Sequence, residues 1–127
     1  MNSPPKHWHR QLALESVGGD AEFLSELAGI FCAAGPTLLK SLGKSIAAQN
    51  LDSAADAAHL LRSVAGSITA LAVVKAALAV EMMARQGELD DMSKAYDALQ
   101  QEARLLVDEI ADFRAGLNAP VYDLYEW

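Results

Sequence analysis

The sequence has little of what builds sheets or staples small domains. It holds one cysteine, Cys32, so no internal disulfide can form. Cys32 sits in a helical apolar pattern, which predicts a buried, inert thiol. Aromatics are 6% of the chain although hydrophobic residues are 52%. Alanine and leucine therefore supply the apolar content, which favours helix over strand. No segment sustains the period-two alternation of a strand. No apolar run approaches the ~20 residues of a membrane span. The opening Met1-Asn2-Ser3-Pro4-Pro5-Lys6 is not followed by an apolar signal core, so the expected location is cytoplasmic. Basic residues are outnumbered, and the net charge of −7 argues against nucleic acid as the main partner.

Catalytic constellations are also missing. There is no Gly-x-Ser-x-Gly elbow and no Gly-rich phosphate loop of the nucleotide-binding types. No set of histidines and carboxylates has metal-ligand spacing along a helix. Asp90-Asp91 and Asp108-Glu109 read as solvated faces of a long helix. An autonomous enzyme is not expected.

What is present is helical periodicity in a chain of 127 residues, the size of one domain. Residues 1–9, with two prolines and His7-Trp8-His9, read as a flexible tail. A short helix runs through Leu12, Ala13 and Leu14 and breaks at Gly18-Gly19. Asp20 is a good N-cap, with Glu22 in the first turn behind it. Phe23, Leu24, Leu27, Ala28 and Phe31 form one stripe. Gly35-Pro36 is expected to end that helix and start another, carrying Leu38, Leu39, Leu42 and Ile46. Asn50 caps a helix that reaches Gly66. Thr69 is expected to cap the next, whose stripe is Leu71, Val74, Leu78 and Met82, closed by Gly87. Leu89, Met92, Tyr96, Leu99, Ala103, Leu106, Ile110, Phe113 and Leu117 give one long final seam. Short connections imply antiparallel neighbours. The predicted fold is all-α, an antiparallel up-and-down four-helix bundle with an additional short N-terminal helix, spanning residues 10–118. Residues 119–127 read as a C-terminal tail.

One histidine stands apart. At about 100° per residue, Asp52, Ala55, Asp56, Arg62, Ser63 and Gly66 fall within about 60° of His59. Leu51, Ala54, Ala58, Leu61, Val64 and Ala65 fall on the opposite half. His59 thus points away from the apolar side, amid small or polar neighbours that let another surface approach. Ala55, Asp56 and Gly66 are the expected docking positions. The fixed cation of Arg62 suits phosphoryl oxygens and disfavours the imidazolium, while Asp56 pulls the other way. From the residues alone, a functional histidine and a solvated face that happens to carry one stand level.

The stretch Ala58-His59-Leu60-Leu61-Arg62-Ser63, continuing to Ile68-Thr69-Ala70-Leu71, resembles the Ala-His-x-Leu-Lys-Gly signature of histidine phosphotransfer (HPt) domains of bacterial two-component phosphorelays. That signature ends in a Gly-Ala pair before the next helix. Val17-Gly18-Gly19-Asp20 resembles the Gly-Gly-Asp entrance to the first bundle helix of such domains. The resemblance implies that His59 accepts a phosphoryl group and that Arg62, in place of lysine, keeps the charge beside it. Ser63 and Thr69 depart from family glycines, and Ser63 is in position to touch the phosphoryl group. The implied partners are response-regulator receiver domains and a hybrid sensor histidine kinase. No cofactor is expected on this chain, which should be a monomer; the Mg²⁺ belongs to the receiver. Two other readings are an interaction module that has lost phosphotransfer and a four-helix adaptor unrelated to signalling.

Overall fold

A computed structural model describes residues 8–118. Five helices follow in order: α1 (Arg10–Ser16), α2 (Ala21–Ala47), α3 (Leu51–Gly66), α4 (Leu71–Gln86) and α5 (Met92–Asn118). There is no strand among the described residues. The helices α2 to α5 each pack on their chain neighbours, and α2 also packs on α5, which closes the ring. That is the predicted up-and-down four-helix bundle, with α1 laid against α2.

The helix ends show why the elements stop where they do. The Asp20 carboxylate accepts from the backbone N–H of Phe23 at 3.0 Å, and the Asn50 side chain accepts from that of Ser53 at 3.2 Å, as expected of N-caps. Gly87 closes α4 with φ of 74°, a left-handed position that glycine takes without strain. Thr69 occupies the same kind of position after α3, with φ of 55°. It does not cap α4: the N-cap is Ala70, which offers no side-chain acceptor. Instead, Ala70 N–H donates to the Ala65 carbonyl at 3.0 Å across the turn, so Thr69 stands where a helix-ending glycine usually stands.

Three more expectations are corrected. Gly35-Pro36 does not split α2, which runs unbroken through Pro36. Leu24, Ala28, Phe31, Gly35 and Leu42 stay on one buried seam across the proline, and that packing outweighs the missing N–H. By length and composition α2 is apolar enough to cross a membrane, a test that the core helix of a bundle also passes. Here its buried face belongs to the bundle core. On α4 the predicted stripe is inverted: Leu71, Leu78 and Met82 are exposed, while Val73, Ala77, Val80 and Ala84 are buried. Leu89 is exposed as well, and α5 begins at Met92.

Trp8, assigned to the tail by sequence, is buried. Its indole N–H donates to the Ile68 carbonyl at 2.8 Å, and its ring meets Phe113 edge to face with centroids 5.4 Å apart. The Arg10 guanidinium lies 5.7 Å from the Trp8 ring centroid and 5.5 Å from that of Phe113. The remainder of the expected N-terminal tail, apart from His9, and the expected C-terminal tail lie outside the described residues. Cys32 is half-buried rather than buried as expected, and burial pushes its thiol up while nearby Arg114 pulls it down less strongly.

Candidate functional site

The helix that carries His59 is built from alanine. Ala54, Ala55, Ala57, Ala58 and Ala65 are all buried, with Leu61 among them. Small side chains let α4 pack closely against α3. His59 lies at the edge of that seam with its side chain 49% exposed.

Across the seam is a residue the sequence reading missed. Glu81 on α4 is 5% exposed, the one charged residue among the buried positions described. Its Oε2 lies 3.1 Å from His59 Nδ1. Arg62 Nε donates to its Oε1 at 2.9 Å. Arg85, one turn further along α4, donates to Oε2 through Nε at 3.2 Å and Nη2 at 3.0 Å. Arg62 Nη2 also lies 2.9 Å from His59 Nδ1. Burial pushes the Glu81 carboxyl up, but the hydrogen bonds from Arg62, Arg85 and His59 outweigh it and hold the group below its ordinary range. Glu81 is therefore an ionised, fully engaged carboxylate beneath the ring. A signal was available: a lone acid in Val80-Glu81-Met82-Met83, with Arg85 four residues on.

The positions read around His59 divide. Asp56, Ser63 and Gly66 are exposed on the same arc of α3. Arg62 is partly covered because it turns toward Glu81. Ala55 is corrected: it is 1% exposed and unavailable to a partner. It lies on the side of His59 that α4 covers, whereas Asp56 lies on the open side. The carboxylate bonded to the ring is Glu81, not Asp56.

The inverted stripe of α4 completes the surroundings. At about 100° per residue, Leu71, Leu78 and Met82 lie about 60–100° round from Glu81. Val74 sits between, and a Cβ built at Gly66 would be 3.9 Å from its Cγ2, so this side of α4 faces α3. The exposed apolar residues thus border the groove at whose edge the imidazole stands. Scattered surface leucines need no explanation, but here three large apolar side chains are exposed beside the histidine.

Chemically, the ring has two distinct nitrogens. Nδ1 is held by Glu81 and Arg62, while Nε2 has no partner among the described residues. A ring that donates from Nδ1 to a carboxylate keeps the lone pair on Nε2, and the same carboxylate offsets positive charge that forms on the ring. The arrangement provides an oriented nucleophile with a guanidinium beside it.

No curated protein and no solved structure matches the chain. A family model described as the Hpt domain matches residues 26–115, from within α2 to near the end of α5. With that match over most of its length, the chain belongs to the Hpt domain family, whose members are phosphotransfer modules of two-component signalling.

Proposed function

We propose that the chain is a phosphorelay intermediate in which His59 is the phosphoryl acceptor. The observation that carries this reading is the half-exposed imidazole whose Nδ1 is tied to buried Glu81, leaving Nε2 unpartnered. Hpt domains are phosphocarriers rather than enzymes, and no kinase or phosphatase activity of its own is assigned to this chain.

A receiver domain docks over the groove, with Ser63 and Gly66 of α3 on one side and Leu71, Leu78 and Met82 of α4 on the other. Its phospho-aspartate, with a divalent ion held on the receiver, is placed in line with Nε2. The Nε2 lone pair forms the N–P bond as the acyl P–O bond breaks, and the electron pair leaves with the aspartate carboxylate. Arg62 stabilises the phosphoryl oxygens, and Ser63 is in position to contact them. Glu81 balances the charge on the phosphorylated ring. The reverse step passes the group to an aspartate on the same or another receiver. Positioning supplies the rate here, because the receiver brings the metal and most of the charge. Partners are receiver domains and a hybrid sensor kinase, the domain acts as a monomer, and the setting is cytoplasmic.

The test is labelling by a phosphorylated receiver. His59→Gln should abolish phosphate uptake while far-UV circular dichroism stays unchanged. Undiminished uptake in that variant would falsify the assignment.

A further inference from the structure

A ring nitrogen carries a proton or a lone pair, never both. Nδ1 of His59 nonetheless has two close partners with opposite requirements. Ionised Glu81 can only accept, and its Oε2 is 3.1 Å away. The Arg62 guanidinium can only donate, and its Nη2 is 2.9 Å away. Each contact therefore selects a different tautomer. With the proton on Nδ1, the ring donates to Glu81 and Nε2 is free to attack. With Nδ1 bare, the ring accepts from Arg62, and the proton sits on Nε2 and blocks it.

We propose that His59 Nδ1 is a tautomer switch: Arg62 holds the unreactive form, Glu81 the reactive one, and an arriving phosphoryl anion throws the switch by drawing Arg62 Nη2 away. The inference rests on the reading of His59 as phosphoryl acceptor and adds a reason for the second arginine. Arg62 is partly exposed, with a side-chain exposure of 31%, so its outer nitrogen is within reach of an incoming anion. Its Nε stays anchored on Glu81 Oε1 at 2.9 Å, which makes the movement a turn of the guanidinium rather than a departure. Arg85 meanwhile binds Oε2 through two nitrogens and keeps the carboxylate ionised and in register. One arginine is free to turn while the other holds the acceptor.

The proton balance is simple. A proton leaves Nε2 for water and another reaches Nδ1 from water, and the ring stays neutral. The Nε2 lone pair then takes up the phosphoryl group, and the proton on Nδ1 remains, now on a cationic ring facing Glu81. Glu81 and Arg62 are thus positioning residues as well as charge partners. A resting domain keeps part of its histidine unreactive, and an anion that engages Arg62 releases it.

The ring ¹⁵N shifts of the full chain read the tautomer directly. They are recorded at about pH 8.5, well above the ordinary imidazole range, and His59→Gln identifies the signals against those of His7 and His9. Arg62→Ala should move His59 toward the Nδ1–H form by about fivefold or more in tautomer ratio, as the loss of one hydrogen bond implies. Glu81→Ala should move it the opposite way. Inorganic phosphate should shift the wild-type ring in the direction of Arg62→Ala and leave Arg62→Ala unmoved. Because Arg62 is at the surface, its variant decides the matter even if Glu81→Ala unfolds. An unchanged ring in Arg62→Ala, a wild-type ring already wholly Nδ1–H, or indifference to phosphate each overturns the switch. None of these outcomes touches the phosphotransfer reading, which falls only if receivers fail to label His59.

Discussion

Along α3 the buried side chains are five alanines and Leu61, and α4 meets them with Val73, Ala77, Val80 and Ala84. On α2 and α5 most of the buried side chains are large, namely Leu24, Phe31, Leu42, Leu99, Leu106, Ile110 and Phe113, with Ala28 and Ala103 between them. Glycine makes room for rings there, within α2 at Gly35 and across to α5 at Gly43. A Cβ at Gly35 would stand 3.2 Å from the Phe31 ring, and one at Gly43 only 2.5 Å from the Tyr96 hydroxyl, which donates to the Leu39 carbonyl at 2.8 Å. That side also retains a groove of about 230 Å³ lined by Phe31, Pro36, Leu39 and Val107 among others. Small side chains have few rotamers to occupy, so the α3–α4 seam sets the spacing of the two backbones tightly. It can therefore hold His59, Arg62 and Glu81 within hydrogen-bonding distance. The bulky apolar residues of α4 have no room in that seam and face outward, where they border the histidine.

The contrast predicts that the two seams fail in opposite ways. Truncation should hurt the large-residue seam most. Phe31→Ala should cost about 3–5 kcal/mol in urea unfolding, with phosphotransfer per folded molecule little changed. Enlargement should hurt the alanine seam. Ala58→Leu should cost about 1–3 kcal/mol, and it should also slow labelling by a receiver, because α4 and Glu81 must move. Equal loss of transfer per folded molecule in both variants would break the comparison.

Acid probes the polar edge of the same seam. The folded Glu81 carboxyl lies below its ordinary value of 4.5, so its contribution is present above that value and is lost as pH falls through the folded one. The gap in urea midpoint between wild type and Glu81→Gln should narrow as pH drops from about 6 to about 3. A constant gap would mean that Glu81 is not the linked group. The smallest effect is expected at the turn that joins the two helices. Thr69→Gly should stabilise by about 1 kcal/mol, because a β-branched residue is strained at φ of 55°. A lower melting temperature in that variant would show that the threonine side chain has a compensating role.

Much of this architecture was legible in one dimension. Asp20, Asn50 and Gly87 announce helix ends by chemistry local to the chain, and the structure uses all three. The unbroken steps of α5 give a seam without knowledge of what it packs on. The exposed histidine was legible too, because the wheel of α3 has one apolar side. What failed depended on neighbours. Pro36 and Leu71-Val74-Leu78-Met82 were judged by residue type, whereas the fold judged them by the space left by α3 and α5. Ala55 was misplaced because a wheel shows which way a side chain points and not which helix covers it. Glu81 was passed over because its apolar neighbours and Arg85 hint at burial but do not show that Arg62 is brought across from α3.

Trp8 gives the domain an order of assembly. The helical hairpins α2–α3 and α3–α4 join residues near in sequence, and they can form before the N-terminus arrives. Trp8 bonds to Ile68 and packs on Phe113, sixty and more residues away, so its docking closes a very long loop among the described residues. Residues 8–10, the α3–α4 turn and the far end of α5 should then open and close together as one cooperative unit in native-state hydrogen exchange. A chain cut at residue 10, where periodicity begins, would lose the plug that completes this unit.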